Sequence, residues 1–94
     1  MAKIKWSKDS LQDLKEIYDF IAADSPRYAL IFTERILEMT EHLVSFPEIG
    51  RRVPESDDPD VREIIYKAYR IVYQVRDDYV EILTVIHGSR LLKL

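Results

Sequence analysis

An arginine is written into a stretch that otherwise has the look of a buried strand, Tyr69-Arg70-Ile71-Val72-Tyr73. Burying a guanidinium without a partner costs on the order of several kcal/mol, so Arg70 needs either an exposed working face or an anion, and phosphate and carboxylate are the two natural choices. Glu63 and Glu81 are the carboxylates within cross-strand reach, and a partner protein's carboxylate would serve equally. Arg62 admits the same two readings. Further along, Ile82-Leu83-Thr84-Val85-Ile86 ends in His87-Gly88-Ser89-Arg90. An imidazole titrates near neutrality and can exchange protons, and Arg90 would supply a second cation beside it. Arg70, His87 and Arg90 are thus the candidates for chemistry on a phosphate. Each also has a plain reading: an ion-paired strand arginine, a strand-end histidine before a glycine turn, and a solvated charge.

Composition narrows the classes. The 94 residues carry a net charge of -3, which argues against nucleic-acid binding through bulk electrostatics. Residues 61–94 hold six basic against four acidic side chains, whereas much of the acidity elsewhere lies in Glu55-Ser56-Asp57-Asp58-Pro59-Asp60, which reads as a solvated connection. With no cysteine and only His42 and His87, no metal site, cofactor or disulfide framework is expected. No signal-like start or membrane-length apolar run is present, so a cytoplasmic protein that does not engage membranes is expected. His42 reads as a surface residue near a helix C-terminus.

The elements that must position these groups follow from periodicity. Lys3-Ile4-Lys5-Trp6 alternates as a short strand, and Ser7 is a helix N-cap. Leu11, Leu14, Ile17, Tyr18 and Ile21 form the apolar stripe of a first helix closed by Ala22-Ala23-Asp24. Ser25-Pro26 opens a second, with Ala29, Phe32, Ile36, Met39, Thr40 and Leu43 inward, and Pro47 stops it near Ser45. Leu30, Ile31 and Leu37 lie off that stripe, which predicts a second buried face or a patch awaiting a partner. Residues 45 to 60 form a long connection, followed by strands at Val61 to Tyr66, Tyr69 to Arg76 and Tyr79 to His87 joined by the turns Lys67-Ala68 and Asp77-Asp78. In the middle strand Ile71, Tyr73 and Val75 suit the helical hairpin, which leaves Arg70 on an uncovered face. The expected fold is α+β, a single domain over residues 1–94: an N-terminal strand, an αα-hairpin and a three-stranded antiparallel meander.

That order resembles the RelE/ParE superfamily of toxins from bacterial toxin–antitoxin operons. The resemblance spans nearly the whole chain and rests on Asp13-Leu14-Lys15-Glu16-Ile17-Tyr18-Asp19-Phe20-Ile21, Ser25-Pro26 with Ala29 and Phe32, Phe46-Pro47-Glu48-Ile49-Gly50-Arg51, Val61-Arg62-Glu63-Ile64, Tyr69-Arg70-Ile71-Val72-Tyr73 and His87-Gly88-Ser89-Arg90. It implies a growth-inhibiting toxin of the plasmid-stabilisation type, neutralised by a co-expressed antitoxin in a hetero-oligomer. Two activities run in the superfamily. ParE-type members bind DNA gyrase and trap its broken-DNA intermediate, whereas RelE-type members cut ribosome-bound mRNA. In the second type Arg70 would stand at a phosphate-holding position, with His87 and Arg90 beside it.

The chain departs from the ribonuclease pattern. No tyrosine follows His87 in Leu91-Leu92-Lys93-Leu94, and the lysine-rich surroundings typical of that type are missing. Tyr66, Tyr69, Tyr73 and Tyr79 read as cross-strand packing, and Lys67, Arg51 and Arg52 as loop charges. The expectation is therefore a ParE-like gyrase inhibitor with no firm catalytic residue. An endoribonuclease is the first alternative, and an inactive antitoxin-binding co-repressor the second. Leu30, Ile31 and Leu37, with Arg62, Arg70 and Arg90, are the expected antitoxin or target contacts, meeting an apolar and acidic segment.

Overall fold

The computed structural model describes residues 3–90 and 92. Met1, Ala2, Leu91, Lys93 and Leu94 lie outside the described residues, and with them the expectations drawn from the two chain ends. Among the described residues the elements run β1 (Lys3–Trp6), α1 (Lys8–Ala22), α2 (Pro26–His42), β2 (Arg51–Arg52), β3 (Val61–Tyr66), β4 (Tyr69–Val75) and β5 (Tyr79–His87). The architecture is α+β, as expected. The sheet order is β1-β5-β4-β3-β2, with β1 parallel to β5 and the other neighbours antiparallel.

Both helices start where the caps place them. The Ser7 hydroxyl accepts the Ser10 N–H at 3.0 Å, and the Ser25 hydroxyl accepts the Tyr28 N–H at 3.1 Å. Pro26 occupies the first turn of α2, where no N–H is needed. The inward stripe of α2 is buried at Ala29, Phe32, Ile36, Thr40 and Leu43, and Met39 is partly covered. In α1 the stripe is corrected at its start. Leu11 is 54% exposed, and fully buried Ser10 takes the inward position instead. Its hydroxyl donates to the Ser7 carbonyl at 2.8 Å, while the Ser7 hydroxyl donates to the Leu83 carbonyl at 3.0 Å, so the first turn sits too close to β5 for a leucine.

The helices cover one face of the sheet. Phe32, Ile36 and Leu43 pack there with Ile71, Tyr73, Val80, Ile82 and Val85. Full burial of each large apolar side chain contributes about 1.5–3 kcal/mol, so this layer is the main source of stability. Val72 opposes Thr84 but Tyr73 opposes Ile82, which leaves Leu83 as an extra residue in β5. Asp13 of α1 closes the break: its carboxylate accepts from the Thr84 hydroxyl at 2.6 Å and from the Val85 N–H at 3.2 Å.

The opposite face is not uncovered, and this is the main correction to the sequence reading. The connection after α2 turns around the β3 edge, where Arg51 and Arg52 pair with Glu63 and Arg62, and then crosses the sheet. Val53 joins Val61 and Val72 in a second buried cluster flanked by Leu83 and Leu92. Gly50 marks the turn around the edge. A Cβ there would meet the Tyr73 hydroxyl oxygen at 2.5 Å and the Glu63 carbonyl oxygen at 2.6 Å, so only glycine fits without displacement. The Gly50 N–H donates to the Tyr73 hydroxyl at 2.9 Å, and burial raises the pKa of that phenol.

Candidate functional site

Alternation along β3 and β4 sends Val61, Glu63, Arg70 and Val72 to the second face, and the connection lays Arg51, Val53 and Glu55 over them at the same period of two. The result is a buried ion network. Arg70 is 6% exposed and Glu63 1% exposed. The Arg70 Nε–H donates to Glu63 Oε1 at 2.6 Å, and its two terminal nitrogens donate to Glu55 at 2.8 and 2.7 Å in a bidentate fork. One of them also reaches the Arg90 carbonyl at 3.2 Å. Arg51 Nε donates to the other Glu63 oxygen at 2.6 Å, and the Leu92 N–H donates to Glu55 at 2.9 Å.

Hydrogen bonds from Arg70, with a further one from the Leu92 amide, hold the Glu55 carboxyl down at about 2, and the same pairing raises the arginine. Every buried polar side-chain atom among the described residues has a partner. The network therefore fastens three segments together: the connection, the sheet and the residues after β5. Glu63 was one of the partners expected for Arg70, but Glu55 was missed. The alternation Arg51, Val53, Glu55 was the signal that could have found it, hidden inside a stretch that looked like an acidic loop.

The three residues that would act on a phosphate do not converge. His87 pairs with Tyr69 across the ladder and stacks edge-on against its ring at 5.6 Å, on the helix side of the sheet, whereas the Arg70 guanidinium lies on the other side. The His87 ring is spoken for locally. Nδ1 accepts the Ser89 N–H at 3.2 Å and lies 2.7 Å from the Ser89 hydroxyl, which places the proton of the neutral ring on Nε2. Arg90 shares a groove with His87 and Phe20 at the end of α1. All three nitrogens of Arg70 are engaged, so no bidentate fork is left for a phosphate.

Arg62 lies on the face of Ile64 and Tyr66, which resolves its side of the sheet. One of its terminal nitrogens donates to the Gly50 carbonyl at 2.9 Å and approaches the Glu48 carbonyl at 3.4 Å. Leu30, Ile31 and Leu37 are exposed on α2, and Phe20 of α1 is 76% exposed. Among the described residues no group of metal-ligating side chains comes together, and no helix is long and apolar enough to cross a membrane.

The geometry can now be set beside known proteins. No curated protein sequence matches the chain. Among solved structures, a chromosomal ParDE TA system from P. aeruginosa superposes with a TM-score of 0.75 at 26% identity, covering 93% of this chain and 96% of that one. The solution structure of a conserved hypothetical protein from Helicobacter pylori shares the fold with a TM-score of 0.61 at 19% identity, covering 98% and 100%. The family model for the ParE toxin of the type II toxin-antitoxin system, parDE, matches residues 4–92, nearly everything described above. The chain belongs to the ParE toxin family of type II toxin-antitoxin systems.

Proposed function

We propose that this chain is one toxin domain that acts by binding: it inhibits DNA gyrase in the cytoplasm and is silenced there by a cognate antitoxin in a hetero-oligomer. The observation that carries this reading is the state of Arg70. The arginine expected to hold a phosphate in the ribonuclease alternative is buried with both carboxylates already on it, and His87 stands on the other side of the sheet with Nδ1 committed to Ser89. A binding protein needs no such constellation. It needs a stable scaffold with exposed contact residues, and Leu30, Ile31 and Leu37 on α2 meet that need for the antitoxin, with the exposed side chain of Arg90 as a further contact. Arg62 and Arg70 contribute from beneath by holding the connection in place. No cofactor enters this mode of action.

The test is a gyrase supercoiling and cleavage assay with toxin freed of antitoxin. Inhibition of supercoiling with accumulation of linear DNA is expected, and normal supercoiling at toxin excess overturns the proposal. A ribosomal A-site cleavage assay run beside it should show no product from the wild type. Cleavage that disappears with His87→Ala would establish the ribonuclease instead. Unaffected growth on induction would leave only the co-repressor role.

A further inference from the structure

The tip of the helical hairpin opens into a pocket of about 590 Å³ that shares no residue with the ion network. Phe20 and Ile21 of the last turn of α1, Ala23, Asp24 and Ser25 of the joint between the helices, and Tyr28 of the first turn of α2 line it. Its two rings are open to solvent, Phe20 at 76% and Tyr28 at 42% exposure. Asp24 is the one charged residue of the lining, and its carboxylate joins no ion pair among the described residues. The last turn of α1 carries no basic residue, so the negative end of its dipole goes uncompensated at the same place. The positive end of α2 is muted, because Pro26 has no N–H and the Ser25 hydroxyl takes the Tyr28 N–H at 3.1 Å. Arg27, the basic residue next to the joint, does not line the pocket. Two aromatic rings, an unpaired carboxylate and a helix C-terminus thus converge, and all three favour positive charge.

We propose that this pocket binds a small organic cation, an alkylamine or alkylguanidine carried on a compact apolar body. The cationic head pairs with the Asp24 carboxylate and lies over the Phe20 or Tyr28 ring, while the body rests on Ile21 and Ala23. Each part alone is too little: water screens a single exposed ion pair, and an aromatic face supplies the added attraction that selects a cation. The volume falls within the range of about 300–1,000 Å³ usual for small-molecule sites. An inorganic divalent cation fits worse, since it needs several oxygen ligands and makes no use of the rings. An anion is repelled by Asp24 and by the end of α1 alike. The pocket includes none of Leu30, Ile31 and Leu37. It therefore stands apart from the antitoxin contacts and the gyrase reading, so each can fail without the other.

The probe is benzylguanidinium, titrated into isotope-labelled full-length protein and followed by amide chemical shifts. Saturable shifts at Phe20, Ala23, Asp24 and Tyr28 are expected, with a dissociation constant on the order of 1 mM or below. Asp24→Asn keeps the shape and removes the charge, and should weaken binding about tenfold; Phe20→Ser removes a wall and should weaken it by a similar factor of about ten. Both side chains are exposed, so an unchanged remaining spectrum reports an intact fold. Benzyl alcohol, the neutral counterpart, should bind at least about tenfold more weakly than the cation. Equal binding of the alcohol, full affinity in Asp24→Asn, or no saturation at about 20 mM overturns the proposal. So do shifts at His87 and Arg90 without those at Asp24 and Tyr28, since the neighbouring groove also borders Phe20. Tighter binding of a short peptide with a central arginine at the same residues overturns the small-molecule occupant in favour of a protein's side chain.

Discussion

Strand β4 lies between two layers built on different physics. On the helix side Ile71 and Tyr73 meet Phe32, Ile36 and Leu43, and the layer is held by loss of apolar surface to water. On the other side Arg70 and Val72 meet a connection with little regular structure, held by two carboxylates and a handful of aliphatic side chains. The first layer tolerates change in proportion to volume. The second is conditional: its charges stabilise only as a set, because removing one leaves another buried and alone. A short irregular segment can thus be held against a sheet without a hydrophobic stripe of its own.

The sharpest way to break this comparison is to remove one residue from each layer. Phe32→Ala should cost about 3–5 kcal/mol in urea denaturation, and Arg70→Ala a similar amount of about 3–5 kcal/mol. The two losses should then part company. Adding Glu63→Leu to Arg70→Ala removes the stranded buried carboxylate and should recover part of the loss, whereas no second deletion in the helix layer should rescue Phe32→Ala. Strictly additive losses on the second face would mean that the charges there do not act as a set.

The same contrast explains what the sequence disclosed. The helix layer announced itself through period: the α2 stripe, the alternation in β4 and the caps at Ser7 and Ser25 all appear in the structure where the pattern put them. Apolar periodicity reports burial directly, since each residue answers to the same solvent. The ionic layer gave only the short alternation Arg51, Val53, Glu55 inside an acidic stretch. Glu55 becomes a partner only when the chain returns across the sheet, and three alternating residues do not by themselves tell a loop carboxylate that will be covered from one that will not. The parallel pairing of β1 with β5 was hidden for a related reason, because the two strands are far apart in sequence.

Acid separates the layers without a mutation. The Glu55 carboxyl is held at about 2 in the folded chain, below its ordinary 4.5. A depressed carboxylate contributes stability that is fully present above its unfolded value and is lost as pH falls from about 4.5 towards 2. The melting temperature should therefore fall across that window in the wild type, and more shallowly in Glu55→Gln; equal slopes would detach Glu55 from the network. Tyr73→Phe tests where the layers meet. It leaves the apolar contacts in place but strips the Gly50 N–H of its acceptor, for an expected loss of about 1–3 kcal/mol. A change indistinguishable from zero would mean that water replaces the phenol and that the turn at the sheet edge is less closed than its geometry implies.

The smallest effect has the opposite sign. Lys67 has a φ of 55°, a left-handed conformation that costs a non-glycine residue about 1–2 kcal/mol. Glycine removes that strain but orders a freer chain, so Lys67→Gly should stabilise the protein by only about 0.5–1 kcal/mol. Urea denaturation checks the sign: a variant less stable than the wild type would mean that the contact of the Lys67 ammonium with the Tyr66 ring, 5.9 Å from its centroid, outweighs the backbone strain at this hairpin.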